Sequence, residues 1–409
     1  MRRRRERILV GMACAILLCG AAGIACLAPH EPAPDGAART APPDAVAQSP
    51  SRSDAPAPAG ETGSHPAHTV AEGAGSPADA GSAAAPPKPG RGSHEMDANL
   101  MAAHSRGGTV PFAATKTVPL DPAPLGFLLV SAHTAGWVTP CGCPGSQAGG
   151  IARRAGFGEL LRKTFPSAPV HYFDLGGYLE LGGSVQRSTT EAVLEGMNRI
   201  GYEASNAGYA DFGRTLDDAE LVRTRVKIPR FSANVVFHDS GRSAFPPYWI
   251  VTLPASGGRP PLRVGVIGVL DERRKLFAFG ENGRSLLTIP VEQALERHLP
   301  DLKAKTDLVV LLAEMRPEPL GSLLKRFPGI DCVVAGDGSQ FITTPRMVEG
   351  VPVIALGNQG KYLAELRVTR AEGKPAIVPY VHWLDETVPE NQPLARFAEE
   401  SVDTINELS

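Results

Sequence analysis

The sequence has no surplus of charge of either sign: Lys plus Arg number 41 against 43 for Asp plus Glu. Without a basic excess there is no electrostatic footprint for nucleic acid, which is excluded as a partner. No G-x-S-x-G, Walker A or H-E-x-x-H pattern occurs, nor does any internal repeat. What is abundant is Pro (38) and Gly (44), and most prolines outside the globular part crowd in before residue 125. A stretch so composed cannot bury enough apolar surface to fold. The length of 409 residues suggests two or more domains, but composition leaves one core, over residues 119–409.

Arg2, Arg3, Arg4 and Arg5 precede an apolar run from Ile8 to Ala28, the pattern of an export signal over residues 1–28. The run is also long enough to cross a ~30 Å hydrocarbon layer as an uncleaved anchor. Gly23-Ile24-Ala25-Cys26 resembles a bacterial lipobox, departing from it at Gly23, where leucine is typical; Cys26 is then the lipidation site. Either reading keeps the protein exported and membrane-anchored, facing the periplasm or outer surface. Cys14 and Cys19 are small apolar residues of the run. Residues 29–118 carry no apolar period and read as a disordered Ala/Pro/Gly-rich tether that supplies reach. His68, His94 and His104 are too scattered along it for a metal site.

Beyond the tether, apolar runs alternate with helical patterns. Strands are expected at Gly126–Ser131, Val170–Leu175, Glu203–Asn206, Arg230–Val235, Tyr248–Leu253, Leu262–Leu270, Leu308–Leu312, Asp331–Ala335, Val351–Leu356, Leu363–Thr369 and Ile377–Trp383. Helices are expected at Ile151–Phe165, Thr189–Ile200, Leu216–Thr224, Val291–Lys305 and Leu394–Leu408. Such alternation means an α/β fold with helices covering buried strands. Ligands in these folds lie past the carboxyl ends of strands, which singles out His133, Asp174, Asn206 to Asp211, Glu314 and Asp337.

Read in order, these strand ends resemble the 5′-nucleotidase-type branch of the calcineurin-like metallophosphatases over about Leu125 to Thr387. The likeness rests on Phe173-Asp174-Leu175-Gly176, Met197 to Ala204 (MNRIGYEA), Phe231 to Val235 (FSANV), Val264 to Gly268 (VGVIG) and Ile330 to Gly336 (IDCVVAG). Gly149-Gly150 followed by Arg153-Arg154 matches the helix after the family's first motif. The resemblance implies a layered α/β sandwich of two packed mixed β-sheets flanked by helices. It also implies two adjacent metal ions that clamp a phosphate and generate a hydroxide.

The family's metal motifs are D-x-H, G-D, G-N-H-[ED], a lone His and G-H-x-H. Here Ser131-Ala132-His133 keeps only the histidine, and Gly176-Gly177 loses the bridging carboxylate. Gly208-Tyr209-Ala210-Asp211 loses both Asn and His, Glu314 stands near the lone His, and Gly336-Asp337-Gly338-Ser339 replaces G-H-x-H. Loss of contacts behind the metal ligands alone costs about 10–100-fold in affinity, and these are the ligands themselves, so the two-metal site is expected to be absent. The chain also stops at residue 409, before the C-terminal domain that carries nucleoside recognition in full-length relatives of this type, so no ordinary nucleotidase is expected.

His133, Glu314 and Asp337 remain as a set able to hold a single divalent cation if the three strand ends converge, with His133 and Glu314 as the candidate catalytic residues of a reduced phosphoesterase. The alternative is an inactive scaffold that holds an envelope ligand or protein. Asp174 reads as structural, and Asp211 with Phe212-Gly213 as a local turn. Pro140-Cys141-Gly142-Cys143-Pro144 allows a structural disulfide or loop pin, a redox pair, or the start of a zinc site with His133. Cys332 falls in an apolar strand and is expected to be buried. Gly149, Gly150, Arg153 and Arg154 could cradle an anion, or simply pack the helix on its strand with solvated arginines.

Overall fold

Apolar runs such as LVVLLAE, Leu308–Glu314, carry no polar face, so each such strand must be covered on both sides. The computed structural model describes residues 123–143, 146–179, 183–212, 220–221, 224–255, 258, 260–274, 276 and 284–407. The signal over 1–28 with Cys26, the tether over 29–118 and most of the helix expected at Leu216–Thr224 lie outside the described residues. No helix among the described residues is long and apolar enough to cross a membrane.

One six-stranded sheet contains β1 (Gly126–Ser131), β2 (Val170–Asp174), β3 (Ala204–Asn206), β4 (Arg230–Phe231), β13 (Tyr362–Ala371) and β14 (Lys374–Trp383), in the order β14-β13-β1-β2-β3-β4. A second, also six-stranded, contains β6 (Tyr248–Leu253), β7 (Leu262–Leu270), β9 (Leu308–Glu314), β10 (Cys332–Ala335), β11 (Ile342–Val348) and β12 (Val351–Ala355), in the order β11-β12-β10-β9-β7-β6. Each has a parallel centre, β1 to β4 in the first and β12-β10-β9-β7 in the second, with antiparallel strands outside it. β5 (Val235–Phe237) and β8 (Leu286–Thr288) form a separate antiparallel pair.

The two sheets pack face to face. Leu128 and Val130 of β1 join Leu308, Val310 and Leu312 of β9 in the core between them. The alternate residues face outward: Phe127 and Leu129 meet the helices α1 (Ile151–Thr164), α2 (Gly183–Ile200) and α5 (Gln392–Glu407). Val309, Leu311 and Ala313 meet α3 (Val291–Lys305) and α4 (Leu320–Arg326). The period of two along a strand thus produces four layers, helix, sheet, sheet, helix. Helix α3 buries Val291, Ala294, Leu295, Leu299 and Leu302, the stripe its sequence spacing predicts. Helix α5 is capped where the Leu394 N–H donates to Asn391 Oδ1 at 2.8 Å.

The main departures from expectation are β8, α4 and β11. Strand β11 (ITTPRMV) is an exposed edge strand with a register shift between Ile342 and Arg346, so it has no apolar run and tolerates Pro345. The strand expected to stop at Leu312 continues to Glu314, which is therefore held rigidly on the sheet.

Candidate functional site

The segments that follow the parallel strands of both sheets come together at one end of the fold. Past β1 the chain goes on pairing with the segment past β2: His133 N–H donates to Gly176 O (2.9 Å), Ala135 N–H to Gly177 O (3.0 Å) and Gly136 N–H to Tyr178 O (3.2 Å). His133 and Ala135 adopt φ of +46° and +47° there, left-handed values that cost about 1–3 kcal/mol each and persist only where surroundings impose them. The His133 ring lies between Gly177 and Gly338, is 8% exposed, and its Nε2 is buried without a hydrogen-bond partner. Burial lowers His133 to about 4, against the Gly336 backbone and Asp337, with Arg274 adding to the lowering, so the imidazole is neutral at pH 7.

Gly177 explains the missing carboxylate. It has φ +81°, and a Cβ built on it would lie 2.5 Å from His133 Nδ1. Gly177→Ala is expected to lose about 2 kcal/mol of stability from the φ penalty and the displaced ring. Thermal unfolding checks this, and an unchanged Tm would mean the ring has another place to go.

Asp211, at the end of the short turn Tyr209–Phe212, does more than close that turn. Its Oδ2 accepts from Gly177 N–H (2.9 Å) and Gly208 N–H (3.1 Å), and its Oδ1 from Tyr178 N–H (2.9 Å) and Leu179 N–H (3.4 Å). The carboxylate ties the segment after β2 to the segment after β3. Burial and the nearby Asp174 raise Asp211 to about 7, against those backbone donors.

Glu314, the last residue of β9, is 1% exposed. Its Oε2 accepts the Tyr209 N–H at 2.7 Å, and its Oε1 is 3.7 Å from an Arg274 guanidinium nitrogen. That guanidinium lies 4.0 Å above the Tyr209 ring. Burial pushes Glu314 up to about 8, with the Tyr209 N–H and Arg274 opposing and Asp211 and Asp337 adding to the rise. Asp337 accepts from the Ser339 N–H and hydroxyl and pairs with Arg316 Nε at 3.1 Å. These partners outweigh its burial and hold it below the usual carboxylate range. His133, Glu314 and Asp337 therefore share one end of the fold without converging as ligands. No group of three or more His, Cys, Asp or Glu among the described residues is placed to hold a metal ion. Arg274 and Arg316 escaped the sequence reading, although Arg274 follows β7 closely enough for the strand-end rule to have flagged it.

The arginine pair of α1 is neither solvated nor open to an anion. Arg153 donates to Glu390 Oε1 (3.1 Å), Gln147 O (2.8 Å) and Leu384 O (3.2 Å). Arg154, fully buried, donates to Tyr202 Oη and to Thr134 Oγ1, both at 3.0 Å. The N–H of Gly149 donates to Leu384 O (2.9 Å) and Gly150 packs on Pro140, so neither cradles a ligand. Tyr202 Oη in turn shares a hydrogen bond with Ser131 Oγ (2.8 Å), which donates to Asp174. Ser131, standing at the family's first aspartate, thus joins a buried chain from Asp174 to Arg154 that balances one buried charge against the other. Burial raises Asp174 to about 6, against the Ser131 hydroxyl and Arg154.

The cysteine loop lies on the β1 to α1 connection. Cys143 is exposed, Cys141 half-buried and Cys332 fully buried, and Cys143 and Cys332 carry free thiols.

No family model matches the chain. It is 23% identical over 214 residues to a 2′,3′-cyclic-nucleotide 2′-phosphodiesterase/3′-nucleotidase of Yersinia enterocolitica, which covers 46% of this chain and 33% of that protein. The Salmonella typhimurium protein of the same name is 22% identical over the same shares. The chain thus matches about a third of the length of these curated relatives. Among solved structures, sulfate thiohydrolase SoxB of Thermus thermophilus superposes with TM-score 0.59 at 17% identity, over 71% of this chain and 62% of that one. The calcineurin-like phosphoesterase YfkN of Bacillus subtilis gives 0.56 at 18%, over 69% and 98%, and a 5′-nucleotidase precursor of Thermus thermophilus 0.55 at 21%, over 69% and 58%. The described part of the chain has the fold of the calcineurin-like metallophosphatases.

Proposed function

We propose that this is an exported, membrane-tethered envelope protein whose metallophosphatase-fold domain binds a ligand or partner and does not hydrolyse phosphoesters with two metals. The observation that carries this reading is the Arg274 guanidinium, 3.7 Å from Glu314 and stacked on Tyr209. It places a fixed-charge cation beside the carboxylate nearest the family's lone-histidine position. The residues present do not fit a metal pair: Gly177 has no room for a bridging carboxylate, Asp337 is engaged by Arg316, and Ser131 and Asp211 hold backbone and side-chain donors together. A neutral, buried His133 keeps an Nε2 without a hydrogen-bond partner, a polar atom of the strand ends whose bonding capacity is unused.

The test is hydrolysis of 4-nitrophenyl phosphate, its bis-ester, 2′,3′-cyclic nucleotides and 5′-nucleotides with Mn²⁺, Co²⁺ and Zn²⁺, beside His133→Ala and Glu314→Ala. The expected result is no metal-dependent turnover above either variant. Turnover that both substitutions abolish would replace this reading with a one-cation phosphoesterase using His133 and Glu314. The tether rests on the arginine-led apolar run from Ile8 to Ala28 and its lipobox-like Gly23-Ile24-Ala25-Cys26, and mass spectrometry of the mature N-terminus checks it: a diacylglyceryl-modified Cys26 is expected.

A further inference from the structure

The C-G-C loop takes no part in the reading above, yet it is a built feature. Cys141 is fixed on both sides, its N–H donating to Ala148 O (2.9 Å) and its carbonyl accepting the Ala148 N–H (3.0 Å). Cys143 is held by its carbonyl, which accepts the Ser146 N–H (2.9 Å) and hydroxyl (3.3 Å). Between them Gly142 has φ +140°, and a Cβ there would lie 2.6 Å from Ser146 O, so this turn admits no side chain. The far arm is anchored by Arg153 donating to Gln147 O and by the Gly149 N–H to Leu384 O. The same segment adjoins the strand ends: Gly149 packs against Gln359 O and Gly360 O, and the Gly360 N–H donates to the His133 carbonyl at 3.2 Å.

The turn Cys141–Cys143 therefore presents two cysteines one residue apart with unequal access, Cys143 exposed and Cys141 half-buried. Unequal access is what separates an attacking thiol from a resolving one. A zinc site would need more ligands, and no group of three or more is found among the described residues. We propose that Cys141 and Cys143 form a redox-active dithiol/disulfide pair beside the strand ends, exchanging with disulfides of small thiols or of partner proteins.

In the forward step the Cys143 thiolate attacks one sulfur of the incoming disulfide, its S–S bond breaks, and the first thiol leaves. Cys141 then attacks Cys143 Sγ of the mixed disulfide, forming the Cys141–Cys143 bond and releasing the second thiol. The two protons of the dithiol end on the two released thiols. The pair is oxidised by two electrons and the incoming disulfide is reduced by two. A bond across one intervening residue closes a small ring, which favours a readily reduced, exchanging pair over an inert cross-link.

The experiment equilibrates the purified, reduced full chain in glutathione buffers of graded redox ratio, quenches with acid, alkylates and maps peptides by mass spectrometry. In wild type both Cys141 and Cys143 are expected to lose alkylation together over one redox transition, while buried Cys332 stays alkylatable only after unfolding. Cys141→Ser is expected to accumulate a glutathione adduct on Cys143 about tenfold above wild type, and Cys143→Ser to react more slowly at Cys141. Wild type carrying independent adducts on both cysteines, or no oxidation at any ratio, overturns the pair. Capture of one Cu⁺ from a bicinchoninate competitor without exchange with glutathione disulfide also overturns it, in favour of a soft-metal site. Because the wild-type measurement decides alone, misfolding of either variant leaves the test intact.

Discussion

Asp211→Ala is expected to remove about 3–5 kcal/mol from the free energy of unfolding, a large part of the ~5–15 kcal/mol typical of a domain. The carboxylate accepts backbone N–H groups from Gly177, Tyr178, Leu179 and Gly208, and it is fully buried. Truncation leaves those donors in a place water does not reach, at about 1–3 kcal/mol for each one unsatisfied, reduced where the loop relaxes. Asp211→Asn keeps one acceptor oxygen but turns an NH₂ toward donors, so it should recover only part of the loss. Urea unfolding of the two variants decides the matter. A loss below about 1 kcal/mol for the alanine variant would show that water reaches these donors after all.

Stability should fall by about 2–4 kcal/mol between pH 6 and pH 8. Asp211 and Glu314 are raised to about 7 and about 8, whereas in the unfolded chain such carboxyls titrate near 4. Between those values the folded chain holds protons that the unfolded chain has released. The stability they contribute is complete below pH 4 and is lost as pH rises through the folded values. Asp174, raised to about 6, acts in the same direction at lower pH. His133, lowered to about 4, has the opposite sign, but only between pH 4 and its ordinary value near 6.5, so the interval from 6.5 to 8 reports the carboxyls. Glu314→Gln should remove about two-thirds of the slope there. Chemical unfolding at closely spaced pH values provides the test, and a flat or rising profile from pH 6.5 to 8 would contradict it.

Both effects arise at positions that the sequence marked only as strand ends. Asp211 reads as a turn former because its local neighbours, Phe212 and Gly213, suit a turn, while its hydrogen-bond donors lie some thirty residues earlier in the chain. Arg153 and Arg154 read as solvated or anion-binding because charge in a helix after a Gly-Gly pair ordinarily is. Their partners, Glu390 and Leu384 for one and Tyr202 and Thr134 for the other, come from elements that only folding brings near. The same holds for Glu314 and Asp337, whose charged neighbours Arg274 and Arg316 reach them from other strand ends.

The central strands were legible because they are buried on both faces, and double burial writes itself as an apolar run. Gly126–Ser131, Tyr248–Leu253 and Leu262–Leu270 form over the expected residues, and helix Val291–Lys305 follows its own stripe. The ordered blocks around the metal motifs likewise carried the fold, because packing against neighbouring layers restricts them. Half-exposed elements such as β11 left no such trace. Local pattern by itself determined the α/β class, the strand ends as the place to look for a site and the burial of Cys332. The tertiary structure alone decided which strands run parallel and what surrounds the residues at their ends. Charge, hydrogen bonding and steric exclusion there act between residues tens to more than a hundred positions apart, as when Tyr209 donates to Glu314 or the His133 ring takes the space a side chain at 177 would need.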